Sequence, residues 1–204
     1  MLDPRDKHQP TLISAAAEGR AHRLAFLTRA LDIGAMLNAE VMSFSAGGMR
    51  PGVEPDEAWN WLRAGVEQVL IHSERTGVSA AMEPEPETEM MVATVDHFRK
   101  LHDYFPSLQL ALDLGHVMVT QERVPEAAIT EFADHIGTVS LEDMKRGDHV
   151  HLAFGDGDMD IPACLDALEA IGFSRLVCVE LSADSGRADR MVPEARRWLA
   201  ECRT

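Results

Sequence analysis

The sequence predicts an α/β fold in which about six βα units form an incomplete (β/α)8 barrel. Short apolar runs rich in Val, Ile and Leu alternate with longer segments of helical periodicity, which is the pattern of a buried parallel sheet covered by helices. The predicted strands also begin about every 33 residues, a period typical of a (β/α)8 barrel. The same pattern allows one alternative, an open doubly wound sheet of five or six parallel strands.

Five short runs have the apolar, β-branched composition of buried strands. We predict strands at Val41–Ser45, Val78–Met82, Leu108–Asp113, Ile136–Leu141 and Arg175–Leu181. Around these runs, apolar residues recur at i, i+3 and i+4, which predicts amphipathic helices. The predicted helices are Arg20–Leu37, Pro55–Thr76, Met90–Asp103, Pro125–Ala133, Ile161–Ile171 and Asp189–Glu201. Proline at a first turn and glycine after a last turn support these bounds, as at Pro55 and Gly77.

The chain is shorter than a complete barrel of this period. Eight units need roughly 270 residues, whereas the chain has 204. Because the first predicted strand follows a helix, we expect about two units to be missing at the N-terminus. Either the chain is a fragment or has a misassigned start, or an incomplete barrel hides its strand edges by forming a homodimer or rearranging its first segment. No Ser/Gly-rich linker divides the sequence, so we expect one domain over residues 1–204.

Charge and composition argue against several functional classes. The 34 acidic and 19 basic residues give a formal net charge of -15, so most of the surface would repel a phosphate backbone. No apolar run approaches the roughly 18–20 residues that span a bilayer, and MLDPRDKHQP lacks the features of a signal peptide. We expect a cytoplasmic protein that binds neither nucleic acid nor membrane. The three cysteines suit reduced thiols, with Cys164 and Cys178 in the core.

Carboxylates follow four of the five predicted strands. They are Glu83, Asp113, the pair Glu142 and Asp143, and Glu180. In barrels and in open parallel sheets, ligands bind at the carboxyl ends of the strands. A single one of these residues, such as Glu83, is more often a solvated strand-end carboxylate. Because carboxylates are costly to desolvate without a positive partner, a divalent metal (Mn, Co, Zn, Mg or Fe) explains the whole set.

Histidines add nitrogen donors to these carboxylates. The turn Asp113-Leu-Gly-His116 can direct both side chains into one pocket. His149 and His151 alternate on an extended segment and could share a face, although surface histidines show this pattern too. Arg146, after the fourth predicted strand, is either a solvated loop cation or a group that neutralises a substrate hydroxyl or phosphate.

With these motifs the chain resembles the xylose isomerase-like TIM barrels, a family of sugar phosphate isomerases and epimerases to which endonuclease IV is related. The resemblance runs from about residue 2 to about residue 200, and its motifs are AMEP, ALDLGH, VSLEDM, HVHLAFGDGDMDIPACLDAL and VCVELS, in this order. It implies a (β/α)8 fold, a divalent metal cofactor and activity on a carbohydrate-like small molecule.

The resemblance also implies roles for individual residues. Glu83, Asp113 and Glu180 correspond to metal ligands, and the two glutamates also correspond to the catalytic acid and base. His116 matches the second member of a D-x-x-H motif that lies beside the metal or the substrate. Ser140 stands where the family has a fourth ligand, a histidine, and a hydroxyl is a much poorer ligand than imidazole.

His149 and His151 are the residues that could compensate for Ser140, the alternative being a water held by Ser140. His151 begins a stretch similar to the family's H-x-x-x-G-x-G loop, and the two histidines lie where endonuclease IV has an Asp-x-His pair that binds zinc. We therefore expect both as metal ligands. We expect His116, Arg146 and Ser140 to bind substrate.

The sequence thus predicts a divalent-metal-dependent isomerase or epimerase of sugars or sugar phosphates, with carboxylates that transfer a proton through an enediolate. Two alternatives stay open. The serine at position 140 and the short N-terminus are also consistent with a catalytically inactive, barrel-derived binding or structural protein. An endonuclease IV-like phosphodiesterase would need more metal ligands and a basic groove, which the acidic composition opposes.

Overall fold

The computed structural model describes residues 9–202, apart from the side chains of residues 182 and 183. Its α-helices are Ala17–Met36 (α1), Pro55–Thr76 (α2), Val95–His102 (α3), Leu114–Thr120 (α4), Pro125–Glu131 (α5), Ile161–Ala170 (α6) and Ala188–Glu201 (α7). Its strands are Val41–Phe44 (β1), Ser79–Met82 (β2), Gln109–Asp113 (β3), Ile136–Leu141 (β4), Asp143–Lys145 (β5), Asp148–Leu152 (β6) and Val177–Val179 (β7). Among these helices, none combines the length and the apolar character that crossing a membrane requires.

Five of the strands form one sheet in the order β1-β2-β3-β4-β7, and β5 and β6 form a separate hairpin. The pairs β1 with β2, β2 with β3 and β4 with β7 are parallel, whereas β5 and β6 are antiparallel. The predicted α/β class with a parallel sheet is therefore confirmed. In the described part of the chain this sheet has five strands, fewer than a complete barrel of eight.

Residue contacts divide the chain into two compact units, of which the first ends at Ala111 and the second begins at Leu112. The boundary falls within β3. The first unit contains α1 to α3 with β1 and β2, and the second contains α4 to α7 with β4 to β7. A single domain over the whole chain stays a prediction.

The core of the first unit is built around α2, which contacts both α1 and β2. Leu62, Val66 and Val69 are fully buried and follow the predicted helical spacing. Burying one such side chain stabilises the fold by about 1.5–3 kcal/mol. The helix ends at the predicted position because Gly77 adopts a φ of 74°, a left-handed conformation that glycine takes without strain.

The core of the second unit includes the contact between α5 and α6. Ile129 on α5 and Ile161 and Leu168 on α6 are buried there. Cys164 is buried as well, as predicted. Removal from water raises the pKa of its thiol to about 12, with smaller contributions from nearby carboxylates. Cys164 therefore acts as a small apolar core residue.

Periodicity does not predict α4 or the β5-β6 hairpin. Helix α4 has 7 residues, too few for a repeating apolar pattern. Strand β6 is largely exposed, so its sequence carries no buried face to recognise. The hairpin turn depends on Gly147, whose φ is 76°. These two elements follow β3 and β4, at the strand ends that carry the predicted site residues.

The last strand is shorter and more exposed than the sequence predicts. Strand β7 covers Val177–Val179 instead of Arg175–Leu181, and Cys178 is exposed, so its predicted place in the core is wrong. The physical reason is that β7 stands last in the strand order, where it pairs with β4. Apolar composition at such an edge does not indicate burial.

Helix α3 begins at Val95, later than the predicted Met90. Thr94 sets this start because its side-chain oxygen accepts a hydrogen bond of 3.1 Å from the His97 N–H. Met90 instead forms an isolated antiparallel bridge with Gly48. This bridge joins the loop after β1 to the loop after β2.

Candidate functional site

The turn between β3 and α4 holds Asp113 and His116 together. Asp113 is the last residue of β3, and its Oδ1 accepts a hydrogen bond of 2.8 Å from the His116 backbone N–H, which caps α4. The His116 Nε2 lies 3.7 Å from Asp113 Oδ2. Both residues are buried, with 3% and 7% of their surface exposed. Asp113 Oδ2 has no hydrogen-bond partner in the structure, so one oxygen of a buried carboxylate is left for a ligand.

Glu142, which directly follows β4, is completely buried with 0% of its surface exposed. Neither of its carboxyl oxygens has a hydrogen-bond partner in the structure. Burial raises the pKa of this carboxyl well above its usual range. The charge of Asp113, contact with the Asp113 carboxyl and the charge of Glu180 raise the pKa further, whereas the Gly115 N–H lowers it. Glu142 is predicted to lie at a strand end but is not among the predicted site residues. The sequence signal for it is a second acidic residue, in Glu142-Asp143, at the end of an apolar strand.

Gly115 makes room for the Glu142 carboxyl. A Cβ atom at position 115 would overlap Glu142 Oε1 and come within about 2.5 Å of the Met144 side chain. The glycine of the Asp113-Leu-Gly-His116 turn is therefore required by the carboxyl that packs against it. This contact brings the end of β4 to the start of α4.

Asp143 is as buried as its neighbour, at 1%, but all its hydrogen-bonding capacity is used. Its Oδ1 accepts from the backbone N–H groups of Met144 and Met159 at 2.9 and 3.1 Å. Its Oδ2 accepts from those of Gly155 and Gly157 at 2.8 and 3.0 Å. The hydrogen bonds of Asp143 therefore hold the loop that follows β6 in place, which is a structural role.

The histidines predicted on an extended segment lie on β6 and stand next to His116. The rings of His116 and His149 are 4.8 Å apart between centroids, and those of His149 and His151 are 5.4 Å apart. His149 is exposed and His151 is half-buried. The Nδ1 atom of His151 is buried without a hydrogen-bond partner in the structure. The second unit thus brings three imidazoles together beside Asp113.

Glu180 and Ser140 lie on neighbouring strands. Glu180 follows β7, is half-buried, and its N–H donates a hydrogen bond of 3.1 Å to the Leu141 carbonyl. Ser140 is half-buried in β4, where it pairs with Cys178. Arg146 is exposed in the turn between β5 and β6, and its backbone N–H donates to Asp158 Oδ2 at 3.2 Å.

Glu83 belongs to the first unit, directly after β2. It is half-buried, and its N–H donates a hydrogen bond of 2.9 Å to the carbonyl of Phe44 at the end of β1. The parallel register of β1 and β2 ends with Phe44 opposite Met82. This pairing holds the Glu83 backbone at the carboxyl edge of the sheet.

Comparison with models of known protein families identifies the family of this chain. Residues 5–202 match the model of the xylose isomerase-like TIM barrel. The chain belongs to this family. The predicted incomplete barrel of xylose isomerase-like type is thereby confirmed, in preference to an open doubly wound sheet. No curated protein matches the chain.

Solved structures of other xylose isomerase-like folds cover almost all of this chain. The 3-keto-D-glucoside 4-epimerase from E. coli has a TM-score of 0.77 at 18% identity, covering 96% of this chain and 75% of that one. An L-ribulose 3-epimerase has a TM-score of 0.75 at 21% identity, covering 93% and 70%. An IolI protein with a bound zinc atom has a TM-score of 0.79 at 17% identity, covering 94% and 73%. At these identities the likeness shows the fold.

A candidate metal site lies in the second unit of this xylose isomerase-like chain. Asp113 and His116 each offer it one ligand atom. The unpartnered Asp113 Oδ2 fits such a site because a cation compensates a buried carboxylate oxygen that nothing else binds. A mixed set of carboxylate oxygens and imidazole nitrogen suits a divalent metal. His116, expected as a substrate-binding residue, is thus also a candidate ligand.

Proposed function

We propose that this chain is a divalent-metal-dependent isomerase or epimerase of sugars or sugar phosphates. The observation that carries the proposal is the state of Asp113. Its carboxylate is buried at the end of β3, with Oδ1 bound to the His116 N–H and Oδ2 without a hydrogen-bond partner in the structure. In a xylose isomerase-like TIM barrel, a carboxylate oxygen held open in this way fits a catalytic metal.

The ligands that we propose are Glu83, Asp113 and Glu180, with His149 and His151 as additional donors. Two findings support this set. The carboxylates follow β2, β3 and β7 of one sheet, and His149 contacts the His116 ring. When bound, a divalent metal polarises carbonyl and hydroxyl oxygens of a sugar and lowers the pKa of the adjacent C–H.

Glu83 and Glu180 are the proposed acid and base. One carboxylate removes the proton from the carbon next to the sugar carbonyl, and an enediolate forms. The other carboxyl returns a proton to the neighbouring carbon in an isomerisation, or to the opposite face of the same carbon in an epimerisation. Both glutamates are half-buried, and both backbones are held by hydrogen bonds to an adjacent strand. Such anchoring suits groups that must meet a substrate at a defined distance.

We propose that His116, Ser140 and Arg146 contact the substrate. His116 can donate from its buried ring beside Asp113, and Ser140 offers a half-buried hydroxyl. Arg146 is exposed and can reach a terminal hydroxyl or phosphate. The solved epimerases of similar fold act, by their names, on a keto-glucoside and on ribulose. This supports a small carbohydrate as the substrate class.

The test is proton exchange at a sugar carbon in D2O, followed by NMR. The full chain is freed of metal, reloaded with Mn, Co, Zn or Mg, and mixed with a panel of ketoses and their phosphates. We expect metal-dependent loss of the proton next to the carbonyl for at least one sugar. Glu83→Gln and Glu180→Gln should each slow the exchange by roughly 100-fold to 10,000-fold. The matched control is Glu169→Gln on the exposed face of α6.

A second candidate, a barrel-derived binding protein without catalysis, is favoured by Ser140 at the position of the family histidine. It predicts that the folded chain binds no divalent metal and exchanges no sugar proton. Metal binding to the wild type decides between the two candidates. The endonuclease IV-like alternative predicts metal-dependent cleavage of abasic DNA, which the net charge of -15 disfavours.

A further inference from the structure

We infer that Glu142 is a metal ligand that takes the place of the family histidine missing at Ser140. The inference rests on the proposed function and names a donor that the family pattern does not contain. Ser140 lies in β4 and Glu142 two residues further along the same chain. Residues two apart on an extended segment project to the same face. A carboxyl at position 142 therefore points to the side from which an imidazole at position 140 would act.

The Glu142 side chain is buried and unsatisfied. It is fully removed from solvent, and neither carboxyl oxygen has a hydrogen-bond partner in the structure. Burying a carboxyl without a partner costs several kcal/mol, and an unsatisfied buried group in a native protein indicates strain, a catalytic role, or a bound water or ion. Asp143, one residue later, shows that this region of the fold can satisfy a buried carboxylate completely.

Two other carboxyls lie close to Glu142. They are Asp113, whose carboxyl is within hydrogen-bonding reach of the Glu142 carboxyl, and Glu180. Parallel pairing of β4 with β7 puts Leu141 opposite Val179, so Glu142 and Glu180 follow at the same level. Three carboxyls from three strand ends thus converge within the second unit. Carboxyls brought this close repel one another when ionised, and a divalent cation relieves the repulsion.

The absence of a side chain at Gly115 leaves room for the Glu142 carboxyl beside the candidate metal ligands. A side chain at position 115 would overlap Glu142 Oε1. The glycine stands between Asp113 and His116, two residues of the candidate metal site. The turn that presents these two residues therefore also admits the Glu142 carboxyl.

Exchange of an imidazole for a carboxylate alters which metal the site prefers. Imidazole suits Zn, whereas carboxylates suit Mn and Mg. With Glu142 as a ligand, the site would select Mn2+ and Mg2+ more strongly than a site with the family histidine does. A histidine introduced at position 140 should shift this preference back toward Zn2+.

The experiment is calorimetric titration of the metal-free full chain with MnCl2 and ZnCl2. The variants are Glu142→Gln, Glu142→Asp, Ser140→His with Glu142→Gln, and the control Glu169→Gln, which removes an exposed carboxylate from α6. Circular dichroism confirms that each variant is folded. We expect Glu142→Gln to weaken Mn2+ binding by at least roughly tenfold, and Glu169→Gln to leave it within about twofold. The double variant should bind again, with the ratio of Zn2+ to Mn2+ affinity raised by roughly tenfold or more.

Mn2+ binding to Glu142→Gln with wild-type affinity would overturn the inference and leave the proposed function standing. If Glu142→Gln does not fold, Glu142→Asp tests the same point, namely whether the carboxyl at position 142 binds Mn2+. This variant keeps the charge and shortens the side chain by one methylene. Unchanged Mn2+ affinity in Glu142→Asp would then overturn it. A wild-type chain that binds neither Mn2+ nor Zn2+ would overturn the inference and the proposed function together.

Discussion

Glu142 and Asp143 are neighbours in the chain and equally buried, at 0% and 1% exposure, yet their surroundings differ completely. Asp143 accepts four backbone hydrogen bonds, one from Met144 in β5 and three from the loop that follows β6. Glu142 has no hydrogen-bond partner of ordinary geometry, and it lies beside the Gly115 N–H and the carboxyls of Asp113 and Glu180. Burial alone therefore does not distinguish a structural carboxyl from a functional one. The number of satisfied oxygens does, because an unsatisfied buried oxygen is stable only where something else binds it.

The largest expected effect concerns Asp143. Asp143→Ala leaves four backbone N–H groups without their acceptor, so we expect a loss of about 3–5 kcal/mol in the free energy of unfolding. Urea denaturation of the metal-free protein measures it. Asp156→Ala, an exposed aspartate of the same loop, is the control and should change stability by less than about 0.5 kcal/mol. Equal effects of the two substitutions would show that Asp143 does not organise the loop.

Gly115→Ala should disturb Glu142 through the space they share. The new Cβ would overlap Glu142 Oε1, and such overpacking costs about 1–3 kcal/mol. Adding Glu142→Ala should recover part of this loss, so the two effects are not additive. Gly186→Ala is the control, since a Cβ at that position meets nothing within 4 Å. Strict additivity of the pair would contradict the packing described here.

Glu142→Gln should stabilise the metal-free protein at neutral pH, by about 1 kcal/mol, the usual scale of single substitutions. Because the pKa of this carboxyl is raised in the folded protein, there is an interval of pH in which the folded protein keeps a proton that the unfolded chain, at its usual pKa, has released. Wild-type stability therefore falls as the pH rises through the interval between the two pKa values. Glutamine does not titrate, so its advantage should be present at pH 8 and shrink toward pH 4. Thermal unfolding across this range tests it, and an advantage independent of pH would contradict it.

The last prediction concerns the reactivity of two cysteines and involves no change in stability. Cys178 is exposed on β7, whereas Cys164 is buried and its pKa is raised to about 12. At pH 8 we expect a thiol reagent to label Cys178 at least roughly 100-fold faster than Cys164. Mass spectrometry of peptides locates the label, and prior unfolding in urea should abolish the difference. Rapid labelling of Cys164 in the folded protein would contradict its place in the core.

Local patterns in the sequence predict much of the fold. Helix α2 starts at Pro55 and ends before Gly77 as expected, because proline and glycine restrict the backbone through local sterics. Strand β4 also has its predicted bounds, Ile136–Leu141. The edge strand β7 is different, since its exposure depends on which strands lie beside it. No local pattern contains that information.

The candidate site likewise contains some residues that local sequence predicts and others whose state depends on the tertiary structure. Asp113 and His116 are recognisable from sequence because only two residues lie between them, and the N-terminus of a helix forms there. Glu142 and Asp143 look alike in the sequence. Their different states depend on Gly115, 27 positions before Glu142, and on the loop at Gly155 and Gly157.

The amino-acid sequence by itself determined the α/β class, the family and the carboxylates at the strand ends, since these follow from periodicity and short motifs within one segment. Only the tertiary structure decided which buried carboxyls are satisfied. Hydrogen bonds and electrostatic interactions in a folded chain join residues distant in sequence, so the state of a side chain such as Glu142 exists only after those residues have met.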